Sequence, residues 1–293
     1  MSTVDRRQVG DGARVRIGAV SYLNTRPLVY RMTELAPEVD LRFDVPSRLA
    51  DQLAAGTLDV ALIPSIEYFL DPNYVVVSDA CIGCRGPVLS VKLWSRVPVD
   101  RIRSLALDEG SRTSAALVQV LLDRRYRLRP RLQSLPLGML AEEVDADAVL
   151  LIGDRAMHPP RGTFAAVWDL GEEWCRETGL PFVFAMWVAR ETPSEHTSMD
   201  RPLSLSRGTI DRILRQSRDL GVAHLEAIAA QEAPTVGLDA TTCLVYLRDS
   251  LYFYLGAAER RGLTQFQQEA ARIGLIPGDS VLRFDQAMSA EHR

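Results

Sequence analysis

The chain is poor in histidine, with only His158, His196, His224 and His292, and none closely follows an expected strand. A histidine-based general acid–base enzyme would have little to work with. Cysteine is equally scarce. Cys81 and Cys84 form one C-x-x-C, Cys175 and Cys243 stand far off, and no histidine lies near the pair. A zinc site needs about four such ligands, so the pair reads as small residues at a strand end and no metal is expected. Long apolar runs are missing too. AVLLIG (148–153) and FVFAMWVA (182–189) are strand-sized, well short of the roughly 18 residues of a membrane span. Basic charge is not in excess, with 34 Lys and Arg against 38 Asp and Glu and a formal net charge of −4. That argues against a nucleic-acid partner. The P-loop, G-x-G-x-x-G, G-x-S-x-G and H-E-x-x-H patterns are all absent, which leaves nucleotide, serine-hydrolase and zinc-protease chemistry without support. The opening MSTVDRRQVGDGARV is charged and lacks an apolar stretch, so no export signal is expected. A cytoplasmic protein with a mobile polar leader over 1–14 is the reading that follows.

The remaining composition, 47% hydrophobic and 25% charged over 293 residues, is that of a globular protein with one large or two smaller domains. RIGAV (16–20), LRFDV (41–45) and LDVALIPS (58–65) read as strands. Between them, helices are expected from Asn24 or Thr25 with Pro27 in the first turn, and from Ser47 to a Gly56 stop. This alternation marks a parallel α/β sheet. VVVSDACI (75–82) and PVLSVKLWS (87–95) extend the pattern. A second rhythm runs from SLALDEG (104–110), through a helix beginning near Ser111 or Thr113, to DAVLLIGD (147–154) and FVFAMWVAR (182–190). From about residue 205 the periodicity is helical.

Ligands of open α/β sheets bind beyond the carboxyl ends of strands. Three turns occupy such places: Ser21-Tyr22-Leu23-Asn24-Thr25, Pro64-Ser65-Ile66-Glu67-Tyr68 and Gly110-Ser111-Arg112-Thr113-Ser114. Each offers hydroxyl or amide groups and unpaired backbone N–H groups of the kind that attract anions. Arg112 adds a fork suited to a carboxylate. Ser, Thr and Asn at such positions also serve as ordinary caps, and Arg112 is equally at home on the surface. Glu67 and Asp154 are the best-placed carboxylates, although each also suits a helix start or a loop cap.

VSYLNTRPL (20–28), GTLDVALIPSIEYF (56–69), CRGPVLSV (84–91), DEGSRTS (108–114), VLLIGD (149–154) and TGLPFVFAMWVA (178–189) together resemble the chorismate dehydratase family. The blocks run in order over nearly the whole chain, and the combination is specific where no single block is. The resemblance implies the two-lobed fold of type II periplasmic binding proteins, with the ligand between the lobes. Lobe one would span about 15–100 plus 190–293 and lobe two about 101–189. PVLSVKLWS and FVFAMWVAR would be the strands joining them.

The implied reaction is loss of water from chorismate to give 3-[(1-carboxyvinyl)oxy]benzoate in the futalosine route to menaquinone, with no cofactor. A dianion needs two anion-holding features. The turns at Ser111–Ser114 and Ser21–Thr25 are the candidates, with Ser65 and Gly153 added as contacts. Asn24 would steer the C4 hydroxyl or the enolpyruvyl carboxylate, and Ser90 would bond the substrate from the joining strand. The turns hold neither histidine nor lysine, so the substrate's own enolpyruvyl carboxylate is the expected base, with Asp154 or Glu67 the alternative. The competing readings are a non-catalytic anion receptor of the same fold, the effector lobe of a transcription regulator, and 1,4-dihydroxy-6-naphthoate synthase, whose relatives carry a histidine in the first turn. The oligomeric state is open, a homodimer being one option.

Overall fold

A computed structural model describes residues 14–191 and 205–285. The leader, His196 and His292 fall outside them. The chain begins with β1 (Val15–Val20), α1 (Met32–Leu35), β2 (Val39–Asp44), α2 (Pro46–Ala54) and β3 (Val60–Pro64), then the short α3 (Ser65–Tyr68) and β4 (Tyr74–Cys84). Next come β5 (Val91–Ser95), β6 (Ser104–Asp108), α4 (Thr113–Tyr126), β7 (Arg131–Leu135), β8 (Ala148–Ile152), β9 (Ala166–Asp169) and α5 (Leu170–Thr178). β10 (Phe182–Arg190) leads to α6 (Arg207–Val222), α7 (Leu225–Val236), α8 (Ala240–Val245), β11 (Tyr252–Tyr254) and α9 (Ala257–Arg272).

Two sheets result, ordered β11-β4-β10-β3-β1-β2 and β7-β6-β8-β5-β9. β1 runs parallel to β2 and β3, and β6 parallel to β7 and β8. Parallel neighbours need crossover segments, which α1, α2 and α4 help supply. The continuous apolar runs are explained by cover on both faces: every residue of β3 and β8 is buried.

Of the expected joining strands only residues 87–90 lie between the sheets. Val91 pairs with Ile152 from the first residue of β5, inside the second sheet. β10 lies between β3 and β4 in the first. The chain therefore crosses at residues 85–90 and 179–181, not at the expected boundaries near 100 and 190. An apolar run reports burial on two faces and is silent on which sheet supplies the neighbours. The crossings are short stretches rich in glycine and proline instead.

The expected caps also shift. Residues 23–29 form a 3-10 segment that Asn24 and Thr25 do not cap; Tyr22 holds the cap position without a side-chain bond. α2 starts at Pro46, leaving Ser47 buried inside its first turn. α6 fixes the 3-10 segment from behind. A side chain at Gly221 would collide with the Pro27 backbone, so only glycine permits that approach.

The first crossing is held by one carboxylate. Asp169 caps α5 by accepting from Gly171 N–H (3.0 Å) and Glu172 N–H (3.1 Å). It also accepts from Val88 N–H (2.9 Å) and Leu89 N–H (2.7 Å). Leu89 sits at φ 62°, a left-handed conformation that non-glycine residues adopt only when their surroundings enforce it. Replacing Asp169 with Ala removes the cap and orphans the two crossing N–H groups. We expect a loss of roughly 2–4 kcal/mol, measured by urea unfolding of the two proteins.

Candidate functional site

A cavity opens between the sheets at the carboxyl ends of β1, β3, β6 and β8. The space free of protein atoms is about 500 Å³, counting its open mouth, within the range of small-molecule sites. Of the residues expected in the site, Tyr22, Asn24, Ser90, Ser111, Arg112, Thr113, Ser114 and Gly153 line it. Pro64, Val88, Phe184 and Ala185 are among its apolar walls.

The other expected residues are engaged elsewhere. Ser21 is exposed and its N–H continues the β1–β2 pairing by donating to Asp44 O (3.0 Å). Leu23 is buried, and its N–H donates to Asp154 Oδ1 (3.0 Å). Thr25 is fully buried and donates from Oγ1 to Asn24 Oδ1 (3.2 Å). Ser65 is fully buried and donates to Val183 O (2.8 Å). Asp154 thus acts as a clasp from the second sheet on the 3-10 segment of the first. Burial raises its pKa, opposed by the Leu23 N–H and the Arg26 charge.

Arg112 does not offer its fork to the cavity alone. It pairs with Asp51 (2.7 Å) on α2 and Glu67 (3.1 Å) on α3, and so bridges the mouth of the cleft. Burial raises the Glu67 pKa despite the arginine. Thr113 Oγ1 accepts from Ile66 N–H (3.2 Å), a second hook between the sheets.

The turn at Ser111–Ser114, the expected anion-holding feature, opens α4. α4 is 14 residues long, and no side chain caps its N-terminus. Its first N–H groups therefore face the cavity carrying the positive end of the helix dipole. The Ser111 hydroxyl beside them is buried and has no hydrogen-bond partner. Asp108 shapes this turn by accepting from Gly110 N–H (3.0 Å), steadied by Arg155 at 3.2 Å. Burial raises the Asp108 pKa, against the pull of Arg155. Beside it, at the end of the neighbouring strand β8, Gly153 sits at φ 64°, and a Cβ there would press within 2.8 Å of the Tyr22 ring. Glycine lets the ring lie flat on the backbone, and burial raises the Tyr22 pKa so that the phenol keeps its proton.

Among the lining residues only Tyr22 and Arg112 are titratable; none is a carboxylate, histidine or lysine. Cys81 and Cys84 are buried in β4. Among the described residues no group of three His, Cys, Asp or Glu gathers to hold a metal, and no helix is long and apolar enough to cross a membrane. Sequence reasoning missed Asp169, which holds the backbone before Ser90, and Tyr246, whose hydroxyl is next to Ser90 and Asn24. Neither belongs to a recognisable motif.

Solved structures share this architecture. A protein of Archaeoglobus fulgidus matches with a TM-score of 0.68 at 18% identity, over 91% of this chain and all of that one. The periplasmic aliphatic sulphonate binding protein of Escherichia coli matches at 0.59 and 17%, over 92% and 90%. Two α/β halves around a donor-lined cleft thus define the class: a protein with the periplasmic-binding-protein fold. The menaquinone biosynthesis family matches residues 15–272, and the chain belongs to that family. Its curated relatives include the chorismate dehydratase of Thermus thermophilus, 30% identical over 76% of this chain and 84% of the relative. That of Campylobacter jejuni is 25% identical over 88% and 98%.

The Asp154 clasp has a pH signature. Its pKa is higher folded than unfolded, so ionisation opposes folding. Asp154→Asn keeps an acceptor for Leu23 N–H and removes that charge. The stability of the variant minus that of the parent is expected to grow as pH rises above about 4, and to level off above the raised pKa. Urea unfolding of both proteins from pH 4 to 8 measures it. A difference that does not change with pH would remove buried ionisation as the cause.

Proposed function

We propose that the protein dehydrates chorismate to 3-[(1-carboxyvinyl)oxy]benzoate, acting as a carbon–oxygen lyase. The observation that carries this reading is the cavity lining, a mostly apolar wall whose polar side chains are hydroxyl, amide and guanidinium groups with no carboxylate, histidine or lysine among them. The named relatives support the same substrate.

The ring carboxylate would rest on the N-terminus of α4 with Ser111, whose unpaired hydroxyl needs an acceptor. Conjugation through the diene acidifies the proton at C3, and these donors stabilise the charge that spreads onto the carboxylate as that proton leaves. The electron pair from the broken C3–H bond then expels hydroxide from C4, and the ring becomes aromatic. Asn24 and Ser90 also line the cavity, where they can hold the C4 oxygen or the enolpyruvyl carboxylate. Thr25 occupies the Asn24 carbonyl oxygen, so Asn24 presents its N–H₂ as a donor.

The enolpyruvyl carboxylate of the substrate is the base in this reading. It takes the C3 proton and returns it to the departing hydroxide, which leaves as water. Asp154 is committed to Leu23 N–H and Glu67 to Arg112, and neither lines the cavity. The protein supplies orientation and a largely apolar, low-dielectric setting.

Purified protein with chorismate should give an aromatic product 18 mass units lighter, about one water, followed by ultraviolet absorbance and mass spectrometry. Asn24→Ala should lower kcat by about 10²–10³, as for loss of a preorganised donor. Asp154→Asn and Glu67→Gln should each stay within about tenfold of the parent. Collapse of turnover in either carboxylate variant, with substrate still bound, would show that a protein base is required. Binding without turnover in the parent would leave an anion receptor.

A further inference from the structure

None of the C-terminal helices lines the cavity, but Tyr246 of that region stands next to two residues that do. α8 passes directly into a π-helical turn over Tyr246–Ser250. Such turns widen a helix by one residue and redirect the side chain at that point. Here the turn starts at Tyr246, which is completely buried. Its hydroxyl faces Ser90 and Asn24 yet completes no well-formed hydrogen bond. Both neighbours line the cavity, and Tyr246 itself does not. A buried phenol is costly to leave unbonded. A phenylalanine would fill the same space without that cost, so packing alone does not explain the oxygen.

The surroundings limit what the hydroxyl can do. Thr25 already donates to the Asn24 carbonyl oxygen, which leaves Asn24 with N–H groups to give. Ser90 follows Leu89, whose backbone is fixed by Asp169, so its side-chain rotor is the remaining freedom. Burial pushes the Tyr246 pKa up, and the phenol stays protonated with one proton to donate and lone pairs to accept with.

We propose that Tyr246 is a positioning residue: its hydroxyl accepts from the Asn24 amide and donates to Ser90 Oγ, turning the Ser90 proton toward the substrate. The inference rests on the dehydratase reading. It places a residue from the C-terminal helical region next to the two donors that would hold the C4 oxygen or the enolpyruvyl carboxylate. A chain of hydrogen bonds of this kind polarises its last donor, which matters most where charge develops. The effect belongs in kcat more than in KM.

Tyr246→Phe tests this with chorismate as substrate. The expected result is a fall in kcat of about tenfold, the size of one hydrogen bond made in the transition state. KM should stay within about twofold and the melting temperature within about 2 °C. A kcat within about twofold of the parent would overturn the proposal, whether or not the melting temperature moves, because the phenol would then serve packing only. Ser90→Ala combined with Tyr246→Phe should lose less than the product of the two single losses, since both act through one group. A full multiplicative loss would place Tyr246 outside the network. If the parent protein leaves chorismate intact, the dehydratase reading fails and this inference falls with it. An active parent with an unaffected Tyr246→Phe variant overturns this inference alone.

Discussion

Asp169 accepts four backbone N–H groups, two from the start of α5 and two from the crossing between the sheets. Much else depends on that carboxylate. It lies at the end of β9, an edge strand of the second sheet, so it references the crossing to that sheet. The crossing in turn carries Ser90 into the cavity through a left-handed Leu89. Donors to an ionised carboxylate are roughly twice as strong as neutral ones, and four of them can hold a backbone conformation that would otherwise relax. A serine at the end of a loose loop would sample several directions; this one has its main chain set before any ligand arrives.

The remaining contacts across the cleft follow one pattern. Each joins a group near the cavity to the opposite sheet: Asp154 to Leu23, Thr113 to Ile66, Arg112 to Asp51 and Glu67. The protein's own carboxylates are thereby satisfied outside the cavity, and the lining is left with N–H and O–H donors. In the proposed reading, this is how a chain with a net charge of −4 would present a site for an anion. Local donors in a cleft of low dielectric outweigh a diffuse surface charge that solvent and salt screen.

The α/β class was legible in the sequence because it rests on short-range signals, whereas the two lobes and the cleft between them came from the family resemblance. Apolar runs separated by helical periodicity report a parallel sheet, and ligand turns follow strand ends. The turn at Ser111–Ser114 was readable for that reason, as was Asn24. The engagement of Ser65 by Val183 and of Arg112 by Asp51 was not, since partners 118 and 61 positions away leave no mark on local pattern. The joining strands were misread because burial looks alike in either sheet. Tyr246 was hidden for a further reason. A tyrosine among Leu, Val and Cys on a helix reads as core, and only the fold shows where its hydroxyl stands.

A receptor-like scaffold suits an elimination more than many other reactions. In the reading proposed here the substrate supplies its own base and its own leaving group, and aromaticity provides the driving force. The protein need not place a strong acid or base, which in a cavity this apolar would tend to neutralise itself by a shifted pKa. It must hold two anionic groups apart, keep the ring in one orientation and exclude water while charge moves from C3 to C4. Those are the tasks that binding between two halves already performs. What separates catalysis from tight binding is then the direction of a few donors, aimed at charge that grows in the transition state rather than at the resting carboxylates. On this view the scarcity of histidine and lysine in the site reflects chemistry carried by the ligand.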